Sequence, residues 1–126
     1  MEKENTIFVF GSNEMGKHGL GAALWARKYY GARYGVGIGR TGNAYAIPTK
    51  GMEMESLPLA QIQSYVNCFL RYADEHPELS FMVTRIGCGL AGYKDEQIGP
   101  MFQTAPDNCH LPSAWQKYKI DNNKNG

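Results

Sequence analysis

The chain has 126 residues, enough for one domain and too few for two. At 43% hydrophobic and 20% charged it is neither disordered nor dependent on a metal or disulfide staple. A net charge of +1 excludes a protein-wide field that would draw it to nucleic acid or an anionic membrane. Cys68, Cys88 and Cys109 form no C-x-x-C pair. An odd number suits a reducing compartment better than a disulfide framework. Met1 to Thr6 is polar and unlike a signal peptide, and no apolar run nears the ~20 residues needed to span a bilayer. The expected location is therefore cytoplasmic, with no membrane partner. Oligomeric state stays open.

In chain order, Ile7-Phe8-Val9-Phe10 is an apolar run that predicts a strand buried on both faces. A glycine-rich loop follows from Gly11 to Gly21. Ala22 to Tyr30 predicts a helix stopped by Gly31, with Trp25 expected in the core. Arg33 to Asn43 has four glycines and no period, so irregular chain or a weak hairpin is expected. Tyr45-Ala46-Ile47 predicts a second strand, broken by Pro48. Met52 to Glu55 reads as loop. Ile62, Tyr65, Val66, Phe69, Tyr72 and Ala73 recur at three- and four-residue spacing. They predict a helix from about Leu57 to His76, opened near Pro58 and stopped by Pro77. Phe81-Met82-Val83 predicts a central strand. It runs into a second glycine loop, Arg85 to Tyr93, and then a helix from about Lys94 to Gln103, weakened by Gly99-Pro100. Cys109 to Leu111 predicts a last short strand. Residues 1–120 are expected to form a single domain, and 121–126 a frayed polar tail.

Strand, glycine loop, helix is the recurring order. It predicts an α/β fold whose mostly parallel sheet is covered on both faces, with ligands beyond the carboxyl ends of the strands. Both glycine loops fall at such ends. A diphosphate needs several converging donors, and backbone N–H groups supply them where no Cβ blocks approach. A helix N-terminus after the loop adds unpaired N–H groups and partial positive charge. The first loop lacks both the G-x-G-x-x-G dinucleotide fingerprint and the G-K-[ST] ending of a triphosphate loop, which disfavours a hydride-transfer enzyme and a P-loop NTPase.

Three blocks together resemble one family. Gly19-Leu20-Gly21-Ala22 opens a helix that ends in Arg27-Lys28-Tyr29-Tyr30-Gly31. Ile47-Pro48-Thr49-Lys50 ends a strand. Arg85-Ile86-Gly87-Cys88-Gly89-Leu90 forms the second loop. In order and spacing they resemble the macro domain, an ADP-ribose-binding module. The similarity is to the terminal ADP-ribose protein glycohydrolase branch and to small phage-encoded members, and it spans residues 7 to about 104. It implies a three-layer α/β/α fold with a central mixed, mostly parallel sheet. It also implies an ADP-ribose-type ligand, free or carried on a macromolecule, and, by analogy, sequestration of an NAD-derived signal in antiviral defence.

The resemblance implies residue roles. Gly19, Leu20 and Gly21 would line the diphosphate and distal ribose. Gly87, Cys88, Gly89 and Leu90 would form the opposing wall, continuing through Ala91, Gly92 and Tyr93. Asn13 would orient the first loop or touch the ribose. Thr49 would line the ligand beside Lys50, which matches a lysine able to attack the ribose anomeric carbon. The family's assisting aspartate is replaced here by Ala91, and Asp95 and Glu96 are expected to point elsewhere.

Each residue also has a plainer reading. Lys50 suits a solvated loop, Asn13 a turn, Tyr93 packing, and Cys88 a small thiol with no histidine placed to activate it. His18 suits either a phosphate contact or a surface histidine, and Arg85 either a structural pair or an anion guide. His76 suits a helix-end cation. The histidines and cysteines show no metal spacing, so neither metal nor cofactor is expected. Three functions follow: a binder of ADP-ribose or a derivative, an ADP-ribosyl glycohydrolase or deacylase using Lys50, and an interaction protein whose glycines only make turns.

Overall fold

The computed structural model describes residues 5–120. The expected tail at 121–126 lies outside them. Five strands form one sheet in the order β2-β3-β1-β4-β5. They are β1 (Thr6–Asn13), β2 (Gly39–Thr41), β3 (Ala44–Lys50), β4 (Ser80–Val83) and β5 (Cys109–His110). β1 is the centre, parallel to β3 and β4. β5 extends the parallel part beside β4, and β2 turns back antiparallel on β3. The fold is α/β with a mixed, mostly parallel sheet.

Alternation along β1 separates two apolar layers. Ile7 and Val9 point into the larger core with Tyr45, Ile47, Phe81 and Val83. α2 (Leu59–Glu75) closes that face. Its stripe of Ile62, Val66, Phe69 and Ala73 is fully buried, the surface that the three- and four-residue spacing requires. Phe8 and Phe10 point to the other face, against Ala26 of α1 (Gly21–Tyr29), Ala32, Ala44 and Ala46. Tyr30 stacks on Phe8, with ring centroids 4.7 Å apart. Helices therefore lie on both faces, but the α1 side is thin.

Three sequence expectations change. β3 continues through Pro48, which sits opposite Ser12 in the register. β2 pairs only with Ala44 to Ala46, and pairing on that side resumes at Thr49 and Lys50 with the 56–57 segment. Among the described residues no strand therefore faces Pro48 there, where a residue without N–H is tolerated. The helix expected over 94–103 is split into α3 (Asp95–Ile98) and a 3-10 turn, Gly99–Phe102. Pro100 lacks the N–H that an α-helix would use and starts the tighter turn instead. Trp25 is half-exposed and packs on Tyr29 rather than in the core. The small alanine layer beneath α1 leaves no depth for an indole.

Candidate functional site

β1 and β4 are parallel neighbours, so their carboxyl ends open on the same sheet edge. The two glycine loops leave from those ends. In the first, the Asn13 side chain closes a ring on Lys17. Its Nδ2 donates to the Lys17 carbonyl and its Oδ1 accepts from the Lys17 amide, both at 2.9 Å. Gly16 adopts φ +75°, and a Cβ there would run into the Gly35 backbone. This glycine is required by the fold. In the second loop Gly87 takes φ +77°, its carbonyl accepts from the Tyr93 amide, and the Gly89 carbonyl accepts from Gly92.

Asp95 anchors the second loop from outside. Arg85 donates to both its oxygens at 2.9 Å. Trp115 Nε1 donates to Oδ1 at 2.7 Å, and the Cys88 thiol lies 3.7 Å from that oxygen. Arg85 first, then Trp115, hold the Asp95 carboxyl below its ordinary pKa. Burial and the Asp95 charge push the Cys88 thiol up to about 11, so it stays protonated at neutral pH and is no nucleophile. Asp95 is occupied structurally and does not stand in for a carboxylate at position 91.

Between the loops is a cavity of about 600 Å³. Asn13, Gly19, Leu20 and Gly21 form one wall, and Thr49 and Lys50 lie at the end of β3. Gly87, Gly89, Leu90 and Ala91 form the other wall. The structure thus brings ten of the fourteen sequence-derived site residues to one cavity. Four stand apart. Tyr93 donates its hydroxyl to the Leu57 carbonyl at 2.5 Å and packs on the main core. Cys88 turns to Asp95, and Gly92 follows the lining segment. His18 is fully buried, edge-on to Phe10, and does not line the cavity. It is neither the surface residue nor the phosphate contact expected. The chain around it folds inward, because Phe10 and Tyr34 offer it an aromatic slot.

The sequence reading missed Lys17, Tyr34 and Met54, all of which line the cavity. Tyr34 and Met54 lie in segments without a period, so nothing local marks them. Lys17 is a basic residue inside the first glycine loop, and that position was a usable signal. Of the two roles left open for Arg85, the structure shows the structural pair, with Asp95, and also places the residue in the cavity lining.

The lining carries Lys17, Lys50 and Arg85 and, among the described residues, no carboxylate. α1 starts there without a side-chain cap. Its first intrahelical bond runs from the Leu24 amide to the Leu20 carbonyl, which leaves the amides of Gly21, Ala22 and Ala23 as donors ahead of the helix ladder. All three residues line the cavity. Gly19 and Gly89 have no positive φ, and a Cβ on either would meet nothing within 4 Å. Neither backbone nor packing calls for glycine at those two positions.

No protein-family model, curated protein or solved structure matches the chain. Among the described residues no group of three or more His, Cys, Asp or Glu side chains could hold a metal ion, and no helix is long and apolar enough to cross a membrane. The cavity brings backbone donors and three cationic side chains to one place.

Proposed function

We propose that this chain is a macro-type binder of ADP-ribose or an ADP-ribose-derived nucleotide, holding the diphosphate between its two glycine loops. One observation carries the reading. Gly19 and Gly89 line a cation-bearing cavity, yet the fold gives neither a reason to be glycine. A ligand pressed against bare backbone supplies that reason. The uncapped start of α1 supports it with amide donors and dipole. The volume of about 600 Å³ is in the range of small-molecule sites. Recognition or sequestration of an NAD-derived signal follows from binding alone.

Lys50 lines the same cavity, which keeps the glycohydrolase or deacylase reading alive. Among the described residues the lining offers Lys17, Lys50 and Tyr34 for proton transfer. It offers no carboxylate to balance the positive charge that develops on a ribose as its glycosidic bond breaks, which favours the binder.

Calorimetry with ADP-ribose, AMP and NAD tests the reading, alongside Gly19→Val and Gly89→Val. Both variants are expected to melt close to wild type, since a Cβ at either position meets no protein atom within 4 Å, and to lose tenfold or more in affinity (at least about 1.4 kcal/mol). Failure of every nucleotide to bind wild type overturns the reading in favour of an interaction protein. Turnover of O-acetyl-ADP-ribose or ADP-ribosylated protein that disappears in Lys50→Ala moves it to the hydrolase.

A further inference from the structure

The floor of the cavity is polar, and its exposed rim mixes apolar side chains with the cations Lys17 and Arg85. Ser12 and Thr49 lie at the strand ends and are buried, only 5% and 4% exposed. Ser12 donates its hydroxyl to the Gly37 carbonyl, and Thr49 directs its own to the Ser12 carbonyl. Thr84 donates to the Val9 carbonyl at 2.7 Å. The Asn13 amide is committed on both atoms to Lys17. The more exposed lining side chains include Leu20, Tyr34, Met54 and Leu90, at 68%, 55%, 41% and 71% exposure. Leu20 and Leu90 belong to the two glycine loops themselves.

Met54 carries a second oddity. Among the described residues it alone is a non-glycine with positive φ, at 65°. That conformation costs an L-residue roughly 1–2 kcal/mol, and glycine or asparagine would suit it better. The turn is nevertheless held firmly. The Met54 amide donates to Gly51 at 3.0 Å, and the Gly51 amide to Glu55 at 2.8 Å. Ser56 Oγ donates to the Ala91 carbonyl at 2.7 Å, tying the turn to the second glycine loop. A strained turn thus presents a thioether to the cavity. Strain kept where a side chain reaches a cavity points to a use for that side chain.

A nucleobase is identified by the donors and acceptors on its edge, and reading them takes matching polar groups. Among the described residues the lining has no carboxylate, and its one side-chain amide, Asn13, is committed to Lys17. Arg85 is committed to Asp95, and Lys17 and Lys50 are point charges suited to the diphosphate. Beside these cations the rim offers an aromatic ring, two leucines and a methionine, which suit the face of any base. We propose that the site grips the base by its faces and leaves its edge unread, so that its ligands are nucleoside-diphosphate riboses irrespective of base. Met54 is then an affinity-determining contact for all of them. This inference rests on the diphosphate-binding reading above.

The test is calorimetry of the full chain with ADP-ribose, GDP-ribose and CDP-ribose, which differ only in the base. Dissociation constants within about threefold of one another are expected. ADP-ribose binding with both others weaker by more than tenfold overturns base indifference and leaves the binding reading intact. Failure of all three overturns the binding reading, and this inference falls with it. Met54→Gly relieves the backbone, so its melting temperature is expected to hold or rise, while affinity for all three ligands falls several-fold by a common factor. Unchanged affinity in that variant overturns the role of Met54. Loss for ADP-ribose alone overturns the shared face contact.

Discussion

At the scale of single residues, His18 shows how little a residue type reveals about its setting. Its ring is enclosed beside Phe10 and Tyr34, and its nitrogens make no well-formed hydrogen bond, only a weak approach to the Val36 backbone. Burial first, and the Arg27 charge second, hold its pKa below the ordinary 6.5, against a weaker raising influence of the Val36 backbone. The folded state therefore prefers the neutral ring, while the unfolded chain takes up a proton near pH 6.5. Below that pH the unfolded state binds more protons, and stability falls as pH falls toward the folded-state pKa. Thermal melts of wild type from about pH 7.5 to about pH 5 are expected to show this loss, whereas His18→Phe, which keeps an aromatic in the slot, lacks that component. Parallel curves for the two proteins would remove His18 as the cause. The flanking Lys17 and Gly19 both line the cavity, so the same buried ring sets the course of the first glycine loop.

At the scale of elements, legibility followed periodicity. α2 was readable because a long amphipathic stripe has one solution, and the structure buries Ile62, Val66, Phe69 and Ala73. Phe69 touches the aromatic rings of Tyr45, Phe81 and Phe102, so Phe69→Ala should cost about 3–5 kcal/mol through the cavity it leaves, measured by urea unfolding. A cost under about 1 kcal/mol would mean the core repacks freely around α2. Short elements were not so legible. The nine residues of α1 bury a single alanine, so a pattern that placed Trp25 inside had too few turns to be decisive. Pro48 was misread as a strand end, because whether a missing N–H matters depends on which neighbour strand it faces.

At the scale of the whole molecule, the sheet order is what makes a site. β1 lies between β3 and β4, so Lys50, the first glycine loop and the second all emerge on one edge although they lie tens of residues apart in sequence. Three cations gather there on a chain whose net charge is only +1. A ligand that bridges the two loops binds the folded chain and not the unfolded one, so it stabilises by about 2.7 kcal/mol at a hundredfold excess over its dissociation constant. For a chain of this size the melting temperature should rise on the order of 10 °C with saturating ADP-ribose, read in a thermal-shift assay. At the same ligand concentration the Gly89→Val protein should lose about half of that rise or more, since a tenfold weaker Kd leaves about 1.4 kcal/mol.

By itself the sequence determined the α/β order of strands and helices, the glycine-rich character of both loops, and most of the residues on the two cavity walls. Those features are local: apolar period, turn chemistry and a run of glycines act within a few residues. Only the tertiary structure decided that Tyr34 and Met54 reach the cavity, that Cys88 and Tyr93 turn away from it, that Asp95 is locked to Arg85 and Trp115, and that His18 is buried. Each of these depends on which distant segment packs alongside, and that is fixed by the order of strands in the sheet rather than by neighbours along the chain.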